Sequence, residues 1–241
     1  AILMCAEFFR ENRSVPTTEE EPKLDKRYRR VDAEPKALGK GLYADDIRIP
    51  GMLHAKAVRS AFPRAKVLSI DDIKAKSHPD FVRIITSEEV PHNIIGHIKQ
   101  DWPVFIPVGE ITRYTGDAIC LVVGKSPETL EELANLVEVS YEVLPPVLDI
   151  YKALEEESPK VHEDGNLLSL EHIQRGDVEK AFKESTHVIT RTYKTPYTEH
   201  AFMEPECAVG LPEGEGGVLV HTSGQSIYDE QHEICTMLQL P

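Results

Sequence analysis

Cysteine is scarce and scattered in this 241-residue chain: Cys5, Cys120, Cys207 and Cys235 share no CxxC spacing. Neither a disulfide framework nor a cysteine-held zinc site is expected, and a reducing cytoplasm is the expected compartment. Basic charge is short as well. Lys and Arg total 27 against 41 Asp and Glu, a formal net charge of −14. A nucleic-acid binder needs a basic footprint, so that class is disfavoured, as is an anionic membrane surface. No apolar run approaches the ~20 residues of a spanning helix, and the start carries no signal-peptide pattern. GxGxxG, Walker A, GxSxG and HExxH are all missing, which removes the usual support for nucleotide binding, serine hydrolysis and zinc proteolysis. What is present is 41% hydrophobic and 28% charged, an ordinary globular balance. The length suits one large domain or two small ones.

The patterning divides the chain. Ile2, Cys5, Ala6 and Phe9 share one face at helical spacing, predicting an amphipathic helix at the start. The sequence opens at Ala1 without an initiator Met, so upstream residues are expected. Residues 14–36 are dense in charge and read as a solvated linker. Strands are expected at 53–59, 67–70 and 81–85, with a helical turn from Asp71 and an acidic turn capped by Thr86 or Ser87. Residues 91–107 yield no assignment. The clearest unit spans 118–143. A continuous apolar strand at 118–123 leads to Ser126 as N-cap and Pro127 at the first helical position. Leu130, Leu133, Ala134 and Val137 then fall on one helix face. Val139, Tyr141 and Val143 alternate with polar residues, so a half-exposed strand follows. This span reads as an α/β layer, its helix covering one face of a sheet. After a second linker-like stretch (155–166), strands are expected at 168–172 and 188–193. Gly176-Asp177 caps a short helix between them. A hairpin follows, formed by 207–211 and 218–221, and then a helix over 226–238.

Three constellations could carry chemistry. Glu199, His200, Glu204 and Glu206 lie close together between two strands, as a metal or acid–base cluster would. The commoner alternative is a loop whose polar groups satisfy nearby backbone. The turn His221-Thr222-Ser223-Gly224-Gln225-Ser226 leads from a strand into a helix. Backbone N–H groups there favour an anion or oxo group, and Gln225 could add an amide donor. Against this stands a plain N-cap at Ser223 or Ser226. Asp45-Asp46, Glu19-Glu20-Glu21 and Glu155-Glu156-Glu157 read as solvated surface. Cys120 and Cys235 sit at apolar-face positions and read as core. Trp102, the single tryptophan, receives no role.

Five segments in order carry a resemblance. Gly39-Lys40-Gly41-Leu42-Tyr43-Ala44-Asp45-Asp46-Ile47, then Gly51-Met52-Leu53-His54-Ala55, resembles the opening of the α/β hammerhead domain of the xanthine dehydrogenase and aldehyde oxidase family. Tyr141-Glu142-Val143-Leu144-Pro145 resembles that domain's end. Gly176-Asp177-Val178-Glu179-Lys180-Ala181-Phe182 and the stretch from Thr195 through Glu199-His200 to Met203-Glu204-Pro205 resemble the entry into the molybdopterin-binding domain. Residues 1–13, with Pro16-Thr17 and Glu19-Glu20, resemble the end of a helical two-iron two-sulfur domain without its cysteine ligands.

The resemblance implies an α+β fold: an α/β hammerhead domain followed by the start of a molybdopterin-binding domain. The implied divisions are a remnant helix at 1–13, a charged linker at 14–37, the hammerhead at 38–154, and the truncated N-terminal part of the molybdopterin domain at 155–241. It implies a molybdenum hydroxylase that oxidises a purine, N-heterocycle or aldehyde with oxygen from water. The metal is held by a pterin cofactor and not by protein side chains. Electrons pass through iron–sulfur centres to FAD, carried on missing parts or another subunit. Gln225 would donate to an oxo ligand of the metal, with Ser223 and Gly224 in the same cofactor-binding turn. Glu199, His200 and Glu204 would shape the site. The catalytic glutamate of the family would lie beyond Pro241, so no base is named and the fragment alone is expected to be inactive. Implied partners are the remaining molybdopterin region, iron–sulfur and flavin domains or subunits, and a small-molecule substrate; apolar surface left exposed where those domains pack would also suit a homo-oligomer. Two alternatives stand beside this reading. One is a non-catalytic interaction module with the hammerhead fold. The other is a hydrolase with metal at Glu199, His200, Glu204 and His221.

Overall fold

The computed structural model describes residues 30–202 and 204–241. The expected helix at 1–13, most of the charged linker, Cys5 and Met203 lie outside the described residues. Along the chain come α1 (Ala33–Ala37), β1 (His54–Arg59), β2 (Ala65–Asp71), α2 (Ile73–Lys76) and β3 (Phe81–Ile85). Next are β4 (Ile94–Ile95), β5 (Trp102–Pro103), β6 (Ala118–Gly124), α3 (Leu130–Leu136) and β7 (Glu138–Val143). The remainder is α4 (Val178–Glu184), β8 (Ala208–Glu213), β9 (Gly217–Thr222) and α5 (Ile227–Leu238). Two compact units result, one from residues 30–50 with 197–227, the other from 51–196 with 228–241. Among the described residues no helix is long and apolar enough to cross a membrane.

The larger unit is built on β6. This strand lies between β1 and β3, antiparallel to both, which is why it reads as an unbroken apolar run. Val58, Cys120, Val122, Leu133, Val137 and Ala75 form the main buried cluster. Its helical contribution is the predicted face of α3, with Leu130 and Ala134 packed beside it. Gly124 allows close packing there: a Cβ on it would lie 2.7 Å from Leu133 Cδ1, and that buried side chain would have to move. A second cluster of Val67, Ile106 and Ile119 shares Ile70 and Val139 with the first.

Several expectations change. β6 and β7 flank α3 but belong to different sheets, because β7 pairs with β2 and not with β6. Ser126 occupies the N-cap position, yet its hydroxyl bonds the Glu128 carboxylate and accepts no helix N–H. The unassigned stretch forms a small hairpin, Ile94 opposite Pro103 and Ile95 opposite Trp102. The linker-like residues 155–166 are tied down by Asn166. Its carbonyl accepts Val161 N–H at 2.7 Å, and its amide donates to Ala153 and Pro159 carbonyls. Cys120 is buried as expected, whereas Cys235 is half-buried.

The strands expected at 168–172 and 188–193 do not form. A strand's backbone bonds must come from a neighbour, and no described segment pairs with either stretch. The helix between them does form, because its bonds are local. Gly176 takes φ +73°, and Asp177 Oδ1 accepts Lys180 N–H at 2.9 Å as the predicted N-cap.

Candidate functional site

In the smaller unit, β8 and β9 form the predicted hairpin, with Ala208 opposite Thr222 and Val209 opposite His221. Strand side chains alternate between faces. Val209 and His221 are buried on one face, so Ala208 and Thr222 fall on the other. That second face lines a hollow of about 830 Å³ together with His200, Phe202, Glu204, Glu206, Cys207, Ser223, Gly224 and Gln225. Two sequence segments about twenty residues apart thus meet because a hairpin brings its own ends together.

Most of the residues singled out from sequence converge here. Gln225, Ser223, Gly224, His200 and Glu204 all line the hollow. Glu199 does not: its carboxylate turns to its own loop and accepts Ala201 N–H at 3.3 Å. Ala201 has φ +50°, a left-handed conformation uncommon for a residue with a Cβ, and it sits between His200 and Phe202. Glu204 is half-buried, and its Oε1 accepts Ala44 N–H at 3.4 Å. That bond ties the loop to the 3₁₀ turn Ala44–Asp46. The same turn carries Asp45, and with burial as the leading cause and Asp45 and Glu204 adding to it, the Cys207 thiol is pushed up from its ordinary pKa. Cys207 is therefore a neutral wall of the hollow.

The turn itself is held at two points. Thr222 Oγ1 accepts Gly224 N–H at 3.2 Å, and Ser223 Oγ accepts Cys207 N–H at 3.4 Å. The N–H of Gly224 is thereby used inside the protein. Gln225 is exposed, and no hydrogen bond of its side chain occurs among the described residues. Its amide is a free donor on the rim.

A metal cluster of Glu199, His200, Glu204 and His221 does not assemble. His221 is buried on the opposite face of the hairpin. Among the described residues no three His, Cys, Asp or Glu side chains are grouped to hold a metal ion.

A second hollow, about 850 Å³ and mostly apolar, lies wholly in the larger unit, lined in part by Ile98, Leu148, Ile150 and Trp102. Sequence reasoning missed its polar edge. Trp102 meets His162 at 5.4 Å and Tyr114 at 5.7 Å between ring centroids, with the Arg113 guanidinium 5.9 Å from the indole centre. His162 Nδ1 lies 2.8 Å from Asp101 Oδ2, and Lys99 pairs with Asp164 at 3.1 Å. These contacts hold residues 159–166 onto the β4–β5 hairpin. No local signal could have found the two ion pairs, since their partners are 61 and 65 residues apart in the chain.

Comparison with known proteins agrees with this architecture. Residues 38–145 match the model of the aldehyde oxidase and xanthine dehydrogenase a/b hammerhead domain, and residues 161–241 match the molybdopterin cofactor-binding domain. The chain is 33% identical to the nicotinate dehydrogenase large molybdopterin subunit of Eubacterium barkeri, over 90% of this chain and 51% of the relative. It is 34% identical to the xanthine dehydrogenase/oxidase of Mus musculus, over 87% of this chain and 15% of the relative. The chain thus spans about half the length of the first and a smaller share of the second. The aldehyde oxidoreductase of Desulfovibrio gigas superposes with a TM-score of 0.79 at 21% identity, covering 98% of this chain and 28% of that one, a likeness of fold.

Proposed function

The chain belongs to the aldehyde oxidase and xanthine dehydrogenase family, and from that membership we propose that it forms part of a molybdenum hydroxylase acting on a purine, N-heterocycle or aldehyde. The reading assigns residues 38–154 to the hammerhead domain and 155–241 to the first part of the molybdopterin-binding domain. The observation that carries it is the exposed Gln225 amide on the rim of a hollow to which His200, Glu204 and Ser223 also contribute.

A primary amide without a partner among the described residues, beside the small residues Gly224 and Ala208, suits an electron-rich oxygen acceptor and leaves it room. Glu204 and Glu206 on the same wall disfavour a phosphate, since like charges repel. The residues present therefore fit the metal-facing end of a molybdenum–pterin cofactor and not its phosphate end. When bound, that cofactor supplies two-electron oxidation of carbon with oxygen drawn from water.

The chain's own side chains orient and enclose. Gln225 would hold the cofactor's oxo group through one N–H donor, a preorganised dipole that needs no rearrangement during turnover. Phe202 and His200 would form a wall against the substrate side, and Glu204 keeps that wall attached to the Ala44–Asp46 turn. Ser223 would keep its hydroxyl proton for the cofactor while its oxygen accepts Cys207 N–H. Iron–sulfur clusters, FAD and the catalytic base belong to other parts or subunits of the protein, a reading supported by relatives named as subunits. A cytoplasmic setting, a small-molecule substrate and a homo-oligomeric assembly complete the proposal.

The test is Gln225→Ala in the full-length protein. Turnover should fall by about 10²-fold, the order seen when one preorganised donor is removed, with folding intact. Wild-type turnover in the variant would overturn the assignment.

A further inference from the structure

We propose that the apolar hollow of the larger unit is a docking surface for a basic, apolar segment of the remaining molybdopterin-binding region, the part that the proposed function places after Pro241. The role rests on that reading only in supposing that such a region follows; the Gln225 hollow plays no part in it. The apolar wall is open to solvent: Ile98, Leu148 and Ile150 are 66%, 79% and 74% exposed. Contiguous exposed apolar surface of this kind marks an interaction site. The wall is also shared. Ile98 lies in the stretch that matches the hammerhead model, whereas Leu167 and Glu233 lie in the stretch that matches the molybdopterin-binding model. The chain covers 51% of the nicotinate dehydrogenase subunit of Eubacterium barkeri. A subunit of that kind therefore has about as much chain again with which to cover a face that the two matched domains share.

Charge selects the occupant. Asp101, Asp149 and Glu233 stand on the wall against Lys99 as its single lysine or arginine. Most of these groups are already engaged. Lys99 pairs with Asp164 at 3.1 Å, His162 Nδ1 lies 2.8 Å from Asp101 Oδ2, and Asp149 Oδ1 accepts the N–H groups of Tyr151 and Lys152. Glu233 is different. It is half-buried on α5, and no bond of its carboxylate occurs among the described residues. One turn earlier, Glu230 Oε2 is buried and has no hydrogen-bond partner among the described residues. Residues three apart share a helix face, so α5 turns two unpaired carboxylates to one side. The helix is a fixed wall, since its Met237 carbonyl accepts His92 N–H at 3.0 Å beside β4. A buried carboxylate oxygen without a partner is costly. A lysine or arginine arriving with apolar neighbours would satisfy the carboxylates and cover the apolar wall together.

Two tests use the full-length protein. With the photo-cross-linker p-benzoylphenylalanine in place of Leu148, irradiation should join the probe to a peptide from beyond Pro241 of the same polypeptide, one carrying Lys or Arg beside apolar residues. A link to a second copy, a link to an iron–sulfur or flavin subunit, or no peptide link at all would each overturn the proposal. The same probe in place of Ile150 serves if the first protein does not fold. The second test reads the sign of a stability change. Where a cation meets the two carboxylates, Glu230→Gln and Glu233→Gln each leave it unpaired, and the thermal midpoint should fall by at least about 2 °C. Where no cation arrives, Glu230→Gln removes a buried charge and the midpoint holds or rises, which would overturn the choice of a basic occupant. A reading frame that stopped at Pro241 would instead sink the reading that supplies the region. Turnover of Gln225→Ala bears only on the other hollow.

Discussion

Two stretches from which strands are expected end in opposite states. Around β6 the apolar side chains are enclosed: Leu133, Val122 and Cys120 have no exposed surface. From residue 167 to 202 every described side chain is exposed, with Ile173 95% accessible. Composition separates the two only in part: residues 167–202 are less apolar than β6, yet Leu170, Ile173, Ile189 and Tyr193 still stand exposed there. The difference is that β6 has β1 and β3 beside it and α3 across it, whereas the expected strands at 168–172 and 188–193 have no partner among the described residues. Apolar sequence is a request for burial, and only a neighbour grants it.

The comparison can be broken at its strongest point first. Leu133→Ala should destabilise the larger unit by about 2–5 kcal/mol, the range for truncating a fully buried leucine, read as a lower denaturant midpoint. A loss under about 0.5 kcal/mol would mean that α3 is not part of the core.

Next in size is a pH effect. Burial is the main cause that pushes the Cys120 thiol up to about 11 from an ordinary value near 9.0. The folded state therefore holds a proton that the unfolded chain releases, and stability falls as pH rises from about 9 to about 11. Measured against Cys120→Ala over that window, the wild type should lose stability faster. Parallel pH profiles would show that Cys120 is not enclosed.

Smaller again is the cap of α4. Asp177→Ala should cost about 1 kcal/mol of local helix stability, seen as faster hydrogen exchange at Lys180 and Ala181. Equal exchange rates would remove the claim that this helix stands on local bonds. Last, Ile173→Ser should change unfolding free energy by less than about 0.5 kcal/mol. A larger loss would reveal a contact for that exposed stretch.

Much of the fold was legible because its signals are short-range. The α3 face, the Asp177 cap, the β8–β9 hairpin and the runs of β1, β3 and β6 all follow from spacing within a dozen residues. The cores around Cys120 and Leu133 follow from the same periodicity. What sequence misplaced is non-local. Nothing in residues 138–143 says that β7 joins β2 and leaves β6 to β1 and β3. Nothing around Trp102 announces His162.

The candidate site divides along the same line. The Ser-Gly-Gln turn and the Glu199–Glu206 segment were visible as motifs, and the hairpin register brings most of their members to one hollow. Glu199, expected to shape the site, does not line this hollow; its carboxylate accepts Ala201 N–H within its own loop.

By itself, then, the sequence determined the elements whose hydrogen bonds close within a few residues, and the order of motifs that mark the family. Only the tertiary structure decided which strands pair, which carboxylate faces the hollow, and which N–H groups are already taken. The physical reason is that a helix or turn satisfies its backbone from its own neighbours, whereas a sheet and a site are satisfied by residues far along the chain, whose arrival no local pattern encodes.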